Sequence, residues 1–299
     1  MIAQDKQAQL DISPFSKPHG RSGDFFVDNY FKVLGGIFLT FILIALSMPF
    51  LKYIGIPVII LWSVSVNLFF RHTGKLAKAR QLEVLQEFAK HNNFTLQEDA
   101  KYSSSGVIFV AGNNDHSTGE ILEGSLYGHK ISAYLHKFST SSGKSRMTHY
   151  YGVIEIELPK TVPHIFIDST KNNWIFGETL DVFKRADMVQ LEGDFNDYFR
   201  IFAAKDYGIE VFTLLNPAFM QQLIQRATGF ECELIDNKAF VYVNNVIIFN
   251  QDSITKMFEA AEFLILNLDK QLDTFKFHPY EKTTNQIEQS RLKKIISKI

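Results

Sequence analysis

Val33 to Leu51 reads VLGGIFLTFILIALSMPFL and Ile54 to Phe70 reads IGIPVIILWSVSVNLFF, two charge-free stretches separated only by Lys52 and Tyr53. At 1.5 Å per residue the first makes a helix of about 28 Å, the hydrocarbon thickness of a bilayer, and the second is slightly shorter. Pro49 stops the first helix, while Lys52 and Tyr53 supply a charge and an interfacial ring. The reading is a transmembrane helical hairpin over residues 33–70, weighed against a buried hairpin in a soluble core. The basic flanks, Lys32 on one side and Arg71, Lys75, Lys78 and Arg80 on the other, favour the membrane. A secretory signal fits less well, because some thirty polar residues precede the first run and a second follows at once.

The flanks also orient the pair. The connecting turn carries only Lys52, whereas Lys17, Arg21 and Lys32 precede the hairpin and the run from Arg71 to Arg80 follows it. The positive-inside bias then puts both termini in the cytoplasm, with the chain a multi-pass membrane protein. If the turn centres near Leu51 and Lys52, Gly36 lies at the depth of Asn67 and Thr40 at that of Ser63. These four residues are the expected hairpin seam.

The chain has 299 residues and a formal net charge of −1, so no global field argues for nucleic acid or an acidic partner. Its one cysteine, Cys232, excludes an intrachain disulfide framework and lacks the companions of a thiolate zinc cluster. Residues 1–32 read as a mobile segment that turns aromatic at Phe25, Phe26, Tyr30 and Phe31. Residues 71–92 carry Leu76, Leu82, Leu85, Phe88 and Ala89 at helical spacing, a stalk or docking helix ended by Asn92-Asn93.

Residues 93–280 read as an α+β domain, an antiparallel sheet covered on one side and packed with amphipathic helices. Four runs are strand-like: Val107 to Val110, Ile121 to Tyr127, Lys130 to Phe138 and Tyr150 to Leu158. Tyr127-Gly128-His129 joins two of them as a hairpin, and Ser139 to Met147 is a polar loop. His164 to Ile167 is a further short strand, Thr179 to Lys184 a helical stretch, and Asp194 a cap for a turn carrying Phe195, Tyr198 and Phe199. Gly208 to Leu214 reads as a strand. Asn216-Pro217 then starts a helix by placing a capping side chain before a first-turn proline. Phe230 to Leu234 and Ala239 to Val243 read as a hairpin about Asp236-Asn237, with Val246 to Phe249 continuing the sheet. Ser253 opens a long amphipathic helix to Leu272. Residues 281–299 form a basic tail. In it Leu292, Ile295, Ile296 and Ile299 share a helical face and Arg291, Lys293, Lys294 and Lys298 supply the charge for contact with an anionic membrane surface.

The run from Leu191, LEGDFNDYFRIFAAKDYGIEVFTLLNPAFMQQL, resembles an uncharacterised family of bacterial membrane-anchored proteins with two N-terminal transmembrane helices. In that family an acidic, Phe-rich segment precedes a helix-start signature L-x-x-P-x-F-M-x-x-L, matched here by Leu214, Pro217, Phe219, Met220 and Leu223. A strand opening on Tyr-Gly lies upstream, here Tyr151-Gly152-Val153. Phe202-Ala203 stands where the family usually has Val-Tyr. The resemblance covers most of Thr73 to Leu272 and implies architecture without a reaction.

The chemistry-bearing residues do not assemble into a motif. Gly143-Lys144-Ser145 lacks the phosphate loop's leading glycine, the position being Phe138, and strand follows it instead of helix. His129, His136, His149 and His164 fall in the sheet region, where seven residues of extended chain turn His129 and His136 to opposite faces; they read as surface or turn histidines. Glu155 and Glu157 share a strand face roughly 7 Å apart, the pattern of a solvated face. No G-x-S-x-G is present, and Glu231 and Glu233 beside Cys232 work against a reactive thiolate. The expectation is a membrane-anchored cytoplasmic interaction or scaffold module, with the bilayer and another protein as partners, no nucleic acid, and no cofactor, metal or catalytic residue. The alternative is a membrane-associated enzyme or binder of a lipid-derived ligand, its pocket between the sheet and the Asn216 or Ser253 helix.

Overall fold

The computed structural model describes residues 10–16, 30–47, 55–98, 104–112, 115–142, 145–172, 188–191, 193–203, 207–273 and 275–276. The expected helix at Thr179 to Lys184, the aromatics Phe25 and Phe26, the hairpin turn around Lys52 and the basic tail with Arg291, Lys293, Lys294 and Lys298 lie outside the described residues. The chain is α+β and divides into two compact units, residues 13–88, and residues 1–12 together with 89–299.

The first unit holds a short 3-10 turn, Ser13–Phe15, helix α1, Tyr30–Ser47, and most of helix α2, Gly55–His91. The expected span and stalk are one uninterrupted helix of 37 residues, about 55 Å long. Nothing between Phe70 and Lys75 breaks a helix except Gly74, whose cost of about 1 kcal/mol a long helix absorbs. Asn93, in the left-handed region at φ 57°, ends it where the Asn92-Asn93 pair predicts. By length and composition α2 is able to cross a membrane, while among the described residues the apolar stretch of α1 covers Lys32–Ile44. The two helices touch: the Trp62 indole N–H donates to Thr40 Oγ1 at 3.2 Å, and the Trp62 and Phe41 rings lie 5.3 Å apart.

Among the described residues the second unit is built on a seven-stranded antiparallel sheet: β1, Thr95–Gln97; β2, Ser117–Leu126; β3, His129–Ser142; β4, Ser145–Ser169; β5, Met188–Val189; β6, Phe199–Ala203; and β7, Glu231–Asn244. β4 is the centre. β3 and then β6 pair along one edge of it, and β7 pairs along the other. The β2–β3 turn is as expected, with Tyr127 and Gly128 both at positive φ, the geometry of a two-residue hairpin. Among the described residues four helices complete the unit: a single turn α3, Phe195–Tyr198; α4, Gly208–Leu214; α5, Pro217–Arg226; and α6, Gln251–Leu272.

Several expected elements differ, each for a local reason. Ser139 to Met147 is not a loop, because β3 and β4 stay paired out to Ser142 and Ser145. Tyr150 to Leu158 and His164 to Ile167 are one strand. It turns a corner at a bulge where β4 spends eight residue steps, Glu157 to Ile165, against four on β7, Lys238 to Leu234. Pro159 and Pro163 sit in that bulge, where a strand tolerates a missing N–H. For the same reason Asp236-Asn237 is no hairpin turn: Asp236 takes φ 54° at the bend and β7 runs on continuously. Asn245, at φ 59°, ends β7, so Val246 to Phe249 does not extend the sheet. Gly208 to Leu214 is helical, with Val211, Leu214 and Leu215 buried while Ile209 and Phe212 are exposed, a period of three to four instead of two. Val107–Val110 is a 3-10 turn. Asp194 makes no side-chain cap; Asn196 bonds both backbone groups of Leu191 instead. The cap of α6 is Asn250, in a reciprocal capping box with Ser253 at the third helical position.

The sheet is covered on both faces, not one. Helix α6 lies on the face of Gly152, Ile154 and Ile156, where a Cβ on Gly152 would overlap Met257. The segment 104–112 covers the other, its Val107, Ile108 and Ala111 packed with Tyr134, Phe138 and Tyr151. Glu155 is therefore buried at 6% exposure and paired with Lys238 at 2.5 Å, while Glu157 stays in solvent, so the two do not share a solvated face.

Candidate functional site

The four residues of the expected seam are all exposed on the two long helices. Thr40 is the one in a described inter-helix contact, through Trp62; its hydroxyl also donates to Ile37 O at 2.7 Å. A Cβ on Gly36 would meet nothing within 4 Å.

In the second unit the two halves of the Phe-rich motif meet. Asn216 Oδ1 accepts from the Phe219 N–H at 2.9 Å, and its Nδ2 donates to Gln271 of α6 at 2.8 Å, so one side chain both starts α5 and ties it to α6. Phe219 is 1% exposed with its ring 6.0 Å from Phe263, and Leu223 is buried. Asp194 and Phe195 come to Pro217, Met220 and Ile224 around a cavity of about 400 Å³. A second, larger groove of about 780 Å³ runs along α6 beside the end of α5. Phe230, Phe263 and Leu266 give it an apolar lining, and Arg226, Glu259 and Lys270 place both signs of charge around it.

Under segment 104–112 lies a polar array that sequence reasoning missed. Glu233, fully buried, accepts from Tyr242 OH at 2.5 Å and from the Val107 N–H at 2.7 Å, and contacts His164 Nε2 at 2.5 Å. Gly106 has no room for a side chain, since its Cβ would come 2.5 Å from Tyr242 OH. Four residues along β4 from His164, buried Asp168 is ion-paired with Arg200 of β6. Burial pushes the Asp168 carboxyl up while Arg200 pulls it back, and burial with the charges of Glu231 and Asp168 pushes Tyr151 up. Lys238, besides Glu155, donates to Ser104 Oγ at 3.2 Å. Alternating polar residues on a strand normally mean solvent; only the cover of residues 104–112 turns this face inward, and no local pattern announces it.

His136 and His149, expected at the surface, are buried. His136 Nε2 lies 3.1 Å from Nδ1 of His116, a residue the expectation left out, and burial followed by the charge of His116 lowers His136 to about 3. His129 joins Glu157 O to Asp269, and His164 belongs to the array above. Among the described residues no three His, Cys, Asp or Glu side chains are placed to hold a metal ion. Cys232 is buried, and burial followed by the charge of Glu231 raises its thiol. Gly143 and Lys144 lie outside the described residues.

These features define an α+β domain that follows a long apolar helix, with its polar groups turned inward under a short strap. No family model matches the chain, and no curated protein matches it. Among solved structures it is similar to the mycobacterial trehalose monomycolate transport factor A. The similarity covers 65% of this chain and 96% of that one, at 11% identity and a TM-score of 0.43.

Proposed function

We propose that the chain is a membrane-anchored interaction module at the cytoplasmic face of a bacterial inner membrane, α1 and α2 forming the anchor. The observation that carries the reading is the apolar exposure of these helices. Ile56, Leu61 and Leu68 of α2 are 68, 68 and 59% exposed, and Phe38 and Leu39 of α1 are 64 and 59% exposed. Isolated exposed apolar residues are ordinary, but a charge-free run of them over a bilayer's length is what lipid covers. The Trp62–Thr40 hydrogen bond supports it, since a polar group in hydrocarbon needs an internal partner. Interaction with a partner protein draws on the second unit, where Ile209 is 81% and Ile247 63% exposed, with Phe212 and Ile248 also exposed.

A second reading, a binder of a lipid-derived ligand, draws on the α6 groove, whose volume lies in the range of small-molecule sites. Alkaline carbonate extraction of native membranes, with alkaline phosphatase or a fluorescent protein fused after Ile299, tests the first. The chain should stay in the pellet with only the fluorescent fusion active; periplasmic phosphatase activity refutes the orientation, and release by carbonate refutes the anchor.

A further inference from the structure

We infer that α2 pairs in the bilayer with α2 of a second copy of the chain, through the face that carries Ser63 and Asn67. The inference rests on the membrane reading. On α2 the less exposed residues Trp62, Val66, Phe69 and Thr73 mark the side turned to α1. About 100° around the helix runs a different stripe, Ile56, Ile60, Ser63, Asn67, Phe70 and Gly74, spaced four, three, four, three, four. That is the spacing of a two-helix coiled-coil seam, and of its length the part from Ile56 to Phe70, about 21 Å, lies in the apolar run before Arg71. Ile56 and Ile60 are 68 and 57% exposed on it.

Asn67 decides the occupant. It lies one turn inside Arg71, the first charge after the apolar run, and its amide reaches no partner among the described residues. The hydrocarbon of the bilayer offers that amide neither donor nor acceptor, so it calls for a polar group on the covering surface. Thr40 of α1, more than one turn away at the level of Trp62, is already taken by Ile37 and Trp62. A second copy supplies the match from symmetry alone. Copies of one chain insert in the same sense, so their helices are parallel, and across a two-fold axis Asn67 meets Asn67 with the carboxamide N–H of each facing the C=O of the other. Ser63 and Gly74, one and two turns away, are small enough to let the backbones close on that contact.

The test uses the full chain in native membranes, with Cys232 replaced by Ala and single cysteines introduced as S63C, N67C, L61C and L68C. Carbonate extraction comes first, and release of the chain refutes the anchor on which the pairing depends. With the chain retained, mild oxidation should give a dimer several-fold more abundant for S63C and N67C than for L61C and L68C, which lie on the far side at the same depths. Equal cross-linking at all four, or none at S63C and N67C, overturns the pairing and leaves the anchor standing. As a second measure, N67L should lose most co-purification of two differently tagged copies and N67Q should keep it; unchanged co-purification in N67L also overturns the pairing.

Discussion

Gly152 stands at the middle of β4, between Leu135 of β3 and Val243 of β7, directly beneath α6. A Cβ there would overlap the Met257 side chain along its length, with Cγ and Cε at 3.2 and 3.1 Å and Sδ closer than any real contact. Met257 is fully buried, so its side chain can yield only by displacing packed neighbours. Gly152→Ala should then cost about 1 to 3 kcal/mol by overpacking. Met257→Ala, which deletes the obstructing atoms, should by itself cost about 2 to 5 kcal/mol as a buried large-to-small change. In that background Gly152→Ala becomes favourable by about 0.5 to 1 kcal/mol, because alanine suits a strand interior better than glycine. The two substitutions are thus coupled by about 1.5 to 4 kcal/mol. Pulse proteolysis of the full chain in detergent micelles over a urea series measures all four corners of the cycle. Gly152→Ala costing the same with and without Met257 would refute the claim that close approach of α6 is what requires the glycine.

Phe219→Ala should destabilise the second unit by about 3 to 5 kcal/mol, the range for a fully buried phenylalanine, in the same proteolysis assay; unchanged stability would place Phe219 outside the core. Tyr127 donates its hydroxyl to Glu262 of α6, and this bond, with burial and the Glu262 charge, raises the phenol from 10.0 to about 12. A folded pKa above the unfolded one means its stabilisation is full below pH 10 and lost as pH rises through 12. Ring-carbon NMR of labelled tyrosine should show Glu262→Gln moving Tyr127 back toward 10, and no movement would mean that the Glu262 contact is not the cause.

Legibility in the sequence followed how local the deciding physics was. The Tyr127-Gly128 turn, the Asn216-Pro217 helix start and the helix to Leu272 were all readable because each is fixed by a few neighbouring residues. Gly208 to Leu214 misled because Ile209, Val211 and Phe212 favour strands, while burial of Val211 and Leu214 against the rest of the unit selects the helix. The bulge that makes β4 and β7 single strands is a mismatch between segments some 70 to 80 residues apart, and neither half shows it alone. Of the polar residues, Glu155 and Glu233 were readable as strand positions but not as buried ones, since their cover comes from the 3-10 turn at Val107.

The place of β7 beside β4 also sets an order on biosynthesis. β3 can fold onto β4 as soon as residue 169 is made, because their pairing is local. The opposite edge of β4 waits for Glu231–Asn244, and until then it presents its longest row of unsatisfied backbone groups, with Val153, Ile154 and Ile156 beside it. Partners so far apart in sequence pair slowly, and a nascent chain stopped between residues 170 and 230 carries an open apolar edge. Premature termination there therefore yields a species suited to aggregation or proteolysis, not a smaller working domain, and the ribosome has to deliver Asn244 before the sheet can close.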